Sequence, residues 1–223
     1  ICQLGRRWCI CDCRHAMTTR LRASSVNFCL IMHRNETMKP TNTGRLIADI
    51  LPQSTHPYLW HRTEPDPLLL RFLSQHQGNI YLAFPVSYCN DTIGPDGPVP
   101  HKNPRDIIPA TSIPKTSSPT FILLDGTWKQ ARKMFHTSKW MSHIPFVKFD
   151  IQASCSYQLR QGSHNQQVST LEAAAGILDC VGDMEIADAM RNYFTVFNRH
   201  YAASRDMINL GFLNRRWVSC GVF

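Results

Sequence analysis

Four cysteines, Cys2, Cys9, Cys11 and Cys13, crowd the start of the chain. Thiolates are the preferred soft ligands of tetrahedral zinc, and short turns bring several sulfurs to one point, so the cluster reads as a candidate metal site. Reduced cysteines buried in a core would explain it too. A second patch runs from His33-Arg34-Asn35-Glu36 through Lys39-Pro40-Thr41-Asn42-Thr43-Gly44-Arg45-Leu46. Its hydroxyls, amides and Arg45 near a helix start suit a carboxylate or phosphate, and plain helix capping uses the same residue types. The third is Asp125-Gly126-Thr127-Trp128. An aspartate closing a buried strand sits where a parallel sheet opens to ligands, and Gly126 would let a ligand approach the backbone. Beyond it Lys129, Arg132, Lys133 and His136 recur at helical spacing, one basic stripe beside the carboxylate. A capping aspartate with a solvated face is the plainer alternative. The fourth, Ser169-Thr170-Leu171-Glu172-Ala173, is an S-x-x-E capping box, which needs no function, although a capped helix start also offers amides to a ligand.

The elements around these patches must position them. Val26–Met32, Asn79–Val86, Thr120–Leu124 and Phe146–Asp150 are apolar runs of strand length. Helices are predicted after Thr43, after the Asp66-Pro67 cap as far as Gly78, from Trp128 to about His136, over Ser169–Cys180 and over Met184–Ala203. The last would gather Ile186, Met190, Tyr193, Phe194, Phe197 and Tyr201 on one face. Such alternation predicts an α/β fold, a mostly parallel sheet with helices on both faces and ligands at the carboxyl ends of its strands. Residues 87–119 hold seven of the fourteen prolines and are read as a long surface loop inserted between strands. No internal repeat, dinucleotide fingerprint or phosphate loop occurs.

Composition narrows the classes. A 223-residue chain with 43% hydrophobic residues builds a real core, expected as one domain with appendages. No apolar run approaches the roughly 20 residues of a membrane span, and arginines and cysteines stand where a secretory signal would be apolar. An odd count of nine cysteines argues against a secreted disulfide scaffold. The expectation is a soluble, intracellular protein. Net charge is +8, and residues 1–45 carry eight basic side chains against Asp12 and Glu36, a concentration that attracts polyanions.

TNTGRL, DGTW and STLEA, preceded by the cysteine cluster and met in this order between Cys2 and Ala173, resemble the DTW-domain family, whose members use S-adenosylmethionine to place a 3-amino-3-carboxypropyl group on a uridine of tRNA. The resemblance implies a SPOUT-related sheet threaded into a trefoil knot, an exception to the rule of unthreaded connections. It implies a cofactor site of Asn42, Thr43, Phe84, Pro85, Leu124, Asp125, Gly126, Thr127, Trp128, Ser169, Thr170, Glu172 and Ala173, and tRNA contacts from Arg34, Arg45, Lys129, Arg132 and Lys133. Attack by uridine N3 on the cofactor's Cγ would expel methylthioadenosine. Asp125 is the candidate general base, since a carboxylate enclosed by an apolar strand end is pushed up in pKa; orienting the cofactor's amino group is its other candidate role. The cysteines resemble a CxxC…CxC knuckle, with Cys2 as the second member of the pair and the first preceding Ile1. Structural zinc on Cys2, Cys9, Cys11 and Cys13 is then the expected metal. The implied organisation is a cysteine-rich segment 1–22, a catalytic domain 23–205 and a tail 206–223 for which the family offers no role. Nothing asks for an obligate protein partner or a membrane. A SPOUT-type methyltransferase and a non-catalytic zinc-containing RNA-binding module are the competing readings.

Overall fold

The computed structural model describes residues 2–19, 21–84, 93–94, 97–98, 106–149 and 168–209. Its core is a six-stranded, all-parallel sheet. In chain order come α1 (Cys11–Thr18), β1 (Asn27–Met32), α2 (Gly44–Ile50), β2 (Thr55–Leu59), α3 (Pro67–Gln75) and β3 (Ile80–Ala83). A two-stranded ribbon of β4 (Ile93–Gly94) and β5 (Gly97–Pro98) follows, then β6 (Ile107–Pro109), β7 (Thr120–Asp125), α4 (Trp128–Thr137), β8 (Phe146–Lys148), α5 (Thr170–Cys180) and α6 (Met184–Asn209). The sheet order is β2-β1-β7-β3-β8-β6.

Every residue of β7 is buried, as its unbroken apolar run requires of a central strand covered on both sides. Alternate side chains separate the two faces. Phe28, Leu30, Phe121 and Leu123 join residues of α2, α5 and α6 in one apolar cluster, while Cys29, Ile31, Ile122 and Leu124 join Leu69 and Phe72 of α3 and Met134 and Phe135 of α4 in the other. Helices therefore cover both faces, as the alternation of strand and helix predicts. Along α6, Ile186, Met190, Tyr193, Phe194 and Phe197 are buried and Tyr201 half-buried, the face expected from the spacing.

Several elements depart from the sequence reading. Part of the proline-rich stretch is not loop: Ile107–Pro109 is strand β6, which among the described residues pairs with β8 alone, at one edge of the sheet. The opposite edge is β2, which carries Pro57. A proline cannot donate to a ladder, so both proline-bearing strands lie where one side needs no partner. The cysteine-rich segment is in part helical, and it packs onto the domain, with Ile10 fully buried in the α2, α5 and α6 cluster. Arg14 of α1 reaches Asp49 of α2 at 3.3 Å, and Asp49 also accepts from the buried Tyr193 hydroxyl at 3.1 Å. A second tie closes the segment: Asp183, fully buried before α6, accepts from the Ser25 amide at 3.0 Å, the Ser25 hydroxyl at 2.5 Å and Arg22 at 2.7 Å. A trefoil knot depends on the path of the connections, and residues 150–167 and most of 85–105 lie outside the described residues, as do Pro85 and the tail beyond Asn209.

Candidate active site

Asp125 is the last residue of the central strand, opposite Met32 of β1, and its carbonyl accepts from the His33 amide at 2.9 Å. The side chain is 3% exposed. Its two oxygens are held from different directions: Asn42 Nδ2 donates to Oδ2 at 2.5 Å and Thr170 Oγ1 donates to Oδ1 at 2.8 Å. Asn42, itself buried, is fixed in turn because its Oδ1 accepts from the Arg45 amide at 2.8 Å. Gly44 opens α2 directly against this carboxylate. A Cβ there would lie 2.7 Å from Asp125 Cγ and 2.8 and 2.9 Å from its oxygens, so the position admits no side chain. Asn42 and Gly44, Asp125, and Thr170 belong to three of the four sequence patches, and one carboxylate joins them. Asp125 is thus buried at the end of an apolar strand, and hydrogen-bond donors reach it there.

Both helix starts beside the carboxylate are capped as their sequences dictate. Thr127 and Gln130 form a capping box on α4, and Ser169 and Glu172 form one on α5. A Cβ at Gly126 would lie 3.1 Å from Gln130 Cβ, so a side chain there would crowd the first turn of α4. Trp128 is the first residue of α4.

Lys129 and Lys133 project from α4 to solvent with His136, and Arg132 is half-buried beside them. Arg34 is exposed on the 3-10 turn Arg34–Glu36 after β1. The charge of Lys133 reaches His33, whose pKa is lowered first by burial and then by Lys133 and Lys39, against the opposing pull of Glu36.

At the N-terminus the sulfurs of Cys2, Cys9 and Cys11 lie within 4.8 Å of one another, Cys2 and Cys9 at 3.8 Å. Sulfurs at about 3.8 Å span the edge of a tetrahedron with ~2.3 Å metal bonds, so the three fit zinc. Burial pushes the Cys2 thiol up, but hydrogen bonds with the Ile10 and Leu4 backbone and with the Cys9 and Cys11 thiols outweigh it and leave Cys2 below its ordinary value. Cys13 does not join them. It is buried and disulfide-bonded, and two residues along helix α1 turn it to the opposite side from Cys11.

The DTW domain family matches residues 1–202. The chain belongs to that family. A 56-residue stretch is 38% identical to tRNA-uridine aminocarboxypropyltransferase 2 of Macaca fascicularis, covering 25% of this chain and 19% of that protein, so the match spans about a fifth of the relative's length. No solved structure matches.

Within the DTW domain, Asn42, Thr43, Asp125, Ser169 and Glu172 are buried around the carboxylate and the α5 start, and Thr170 is half-buried among them. Leu124 and Phe84 are core residues beneath it on the α3 and α4 face, Phe84 stacked on Phe135 at 4.8 Å, and Ala173 packs half-buried against the opposite cluster. Arg45 is not brought to the basic stripe. Its guanidinium lies over Phe197 of α6, Nη2 donates to the Pro40 carbonyl at 3.2 Å, and Nε and Nη1 are buried with no hydrogen-bond partner among the described residues. Burial lowers its pKa, against the pull of Asp49, Tyr193, Cys2 and Cys11. Trp60, which the motifs do not single out, stacks on His33. Its position just after β2 is the signal that would have found it, once β2 had been recognised.

Proposed function

We propose that this DTW domain transfers the 3-amino-3-carboxypropyl group of S-adenosylmethionine to N3 of a uridine in tRNA. The observation that carries the reading is the convergence of TNTG, DGTW and STLEA on the single carboxylate of Asp125 at the carboxyl end of the central strand. The donor set fits the cofactor's polar end: Asp125 offers lone pairs to an ammonium, and the first amides of α5, which a helix cannot satisfy internally, suit a carboxylate. When bound, the sulfonium supplies an electrophilic carbon and a neutral thioether leaving group. The protein's own tasks are orientation, so that Cγ rather than the methyl faces the nucleophile, and removal of the N3 proton, for which Asp125 is the candidate base. That both its oxygens already accept hydrogen bonds favours the second role, fixing the cofactor's ammonium.

Lys129, Arg132, Lys133 and Arg34 are the proposed tRNA contacts. Cys2, Cys9 and Cys11 are the proposed holders of a structural zinc, which this chemistry does not itself require. Incubating the protein with tRNA and S-adenosylmethionine is expected to release methylthioadenosine. Finding only S-adenosylhomocysteine would assign methyl transfer instead.

A further inference from the structure

Two rings lie side by side at the carboxyl end of the sheet, outside the hydrogen-bonded hub. β1 and β2 are parallel neighbours with Met32 opposite Leu59, so the residues that follow them, His33 and Trp60, emerge together. Their ring centroids are 5.8 Å apart with planes at 23°. Each ring is held. The Trp60 indole N–H donates to the buried Ser138 hydroxyl at 2.9 Å, its backbone N–H donates to the Met32 carbonyl at 2.8 Å, and its ring leans on the cluster formed with α3 and α4. His33 Nδ1 accepts from the Asn35 amide at 3.2 Å, which leaves the proton of a neutral ring on Nε2. The His33 backbone is bonded to Asp125 itself. Both rings are only half-buried; of the charges that act on His33, Lys39 is paired with the buried Glu36 at 2.6 Å, while Lys133 is exposed on α4.

We propose that the His33–Trp60 stack is a platform which a nucleobase of the RNA substrate extends, resting on the His33 ring while Lys133 holds the adjoining phosphate. Fixed ring planes beside cations are what sequence-tolerant gripping of an unstacked base requires. The exposed Lys133 favours a nucleotide of the substrate over the adenine of S-adenosylmethionine, which brings no phosphate and carries a sulfonium charge of its own. The platform rests on the reading of tRNA as substrate and adds to it the place where a base beside the reacting carboxylate is held.

The test measures tRNA affinity across a salt series, with S-adenosylmethionine affinity by calorimetry, for the full chain and for His33→Ala, His33→Phe, Trp60→Ala, Trp60→Phe and Lys133→Ala. His33→Ala and Trp60→Ala are expected to weaken tRNA binding roughly 5- to 100-fold at every salt concentration, the usual contribution of one stacked base, with the salt slope unchanged. The two Phe variants keep a stacking face and most of the affinity. Lys133→Ala lowers the salt slope by about one. His33→Ala leaves the Ser138 anchor and the apolar cluster intact, so it decides the matter if Trp60→Ala fails to fold. A folded His33→Ala that binds tRNA as the wild type does overturns the platform and leaves the tRNA reading standing. Loss of S-adenosylmethionine affinity with tRNA binding unchanged overturns it in favour of an adenine site. A wild-type chain that does not bind tRNA at low salt overturns both.

Discussion

Each oxygen of Asp125 accepts a hydrogen bond, from Asn42 and from Thr170, so a substitution there is judged by which bonds it can remake. In Asp125→Asn the new carbonyl can accept from Asn42, and the new amide can donate to Thr170, whose hydroxyl accepts as readily as it donates. The variant is therefore expected to fold and to bind tRNA. Loss of a general base then lowers the single-turnover rate roughly 10²–10⁴-fold, recovering more steeply with pH than the wild type as uridine ionises unaided. If Asp125 fixes the cofactor's ammonium, the dissociation constant for S-adenosylmethionine rises instead and saturating cofactor restores much of the rate. Gly44→Ala is harsher, because the added carbon meets the carboxylate at 2.7 Å. It should cost roughly 1–3 kcal/mol in thermal or denaturant unfolding and displace Asp125, lowering the rate as well. Unaltered stability and rate would show that the approach relaxes freely. Asp125, Asn42 and Thr170 are each singled out by the sequence motifs, and the structure brings them into hydrogen-bond contact. The bonds between them span 83 and 45 residues, beyond any local pattern, which is why the donors to the carboxylate could not be read from the sequence.

At the scale of elements, α4 is the clearest case of sequence dictating form. Its capping box, its buried Ala131, Met134 and Phe135, and its exposed Lys129 and Lys133 follow from residue type and spacing. Reversing charge at Arg132 and Lys133 should weaken tRNA binding and flatten its salt dependence while leaving cofactor affinity nearly unchanged. An unaltered slope would place the RNA along the basic residues between Arg6 and Arg45. The start of α6 makes a different prediction. Burial pushes the Asp183 carboxyl up, yet the Ser25 hydroxyl and amide and Arg22 outweigh it, so its pKa in the folded chain lies below the ordinary value. The sign follows: its stabilisation is present above about pH 4, the ordinary carboxylate range, and is lost as pH falls through the lowered value. Asp183→Asn should therefore be less stable by roughly 1–3 kcal/mol at neutral pH, with the gap closing in acid. A gap that stays constant with pH would exclude the ionised carboxylate as its source. The elements missed by sequence have local reasons. β2 and β6 each contain proline and lie at sheet edges, where tertiary pairing overrides local preference, and α1 is short and rich in cysteine.

Across the whole molecule, the basic N-terminal segment is fastened to α2 by Arg14 and Asp49 and to α6 by Arg22, Ser25 and Asp183, so its cysteine cluster is coupled to the stability of the domain. Zinc is expected to bind and to raise the unfolding temperature, since a ligand that prefers the folded state stabilises it by mass action. Cys9→Ser, at an exposed ligand position, should abolish the shift with little effect in the metal-free protein. An equal shift in that variant would locate the metal elsewhere. The α/β class and the covering of both faces were legible from the alternation of apolar strands and amphipathic helices, whereas the strand order was not, because nothing in a strand's own residues names its neighbours.

That order bears on how the chain is made. β3 pairs with β7 on one side and β8 on the other, and both lie later in the sequence, as β7 does for the inner edge of β1. On the ribosome, β1 and β2 can join as soon as they emerge, but β3 must wait. The 36 residues between β3 and β7 occupy several seconds at about 5–20 residues per second. Throughout that interval the nascent chain exposes open strand edges around the slot that β7 will fill, which makes this the period in which it is most open to mispairing and to capture by chaperones.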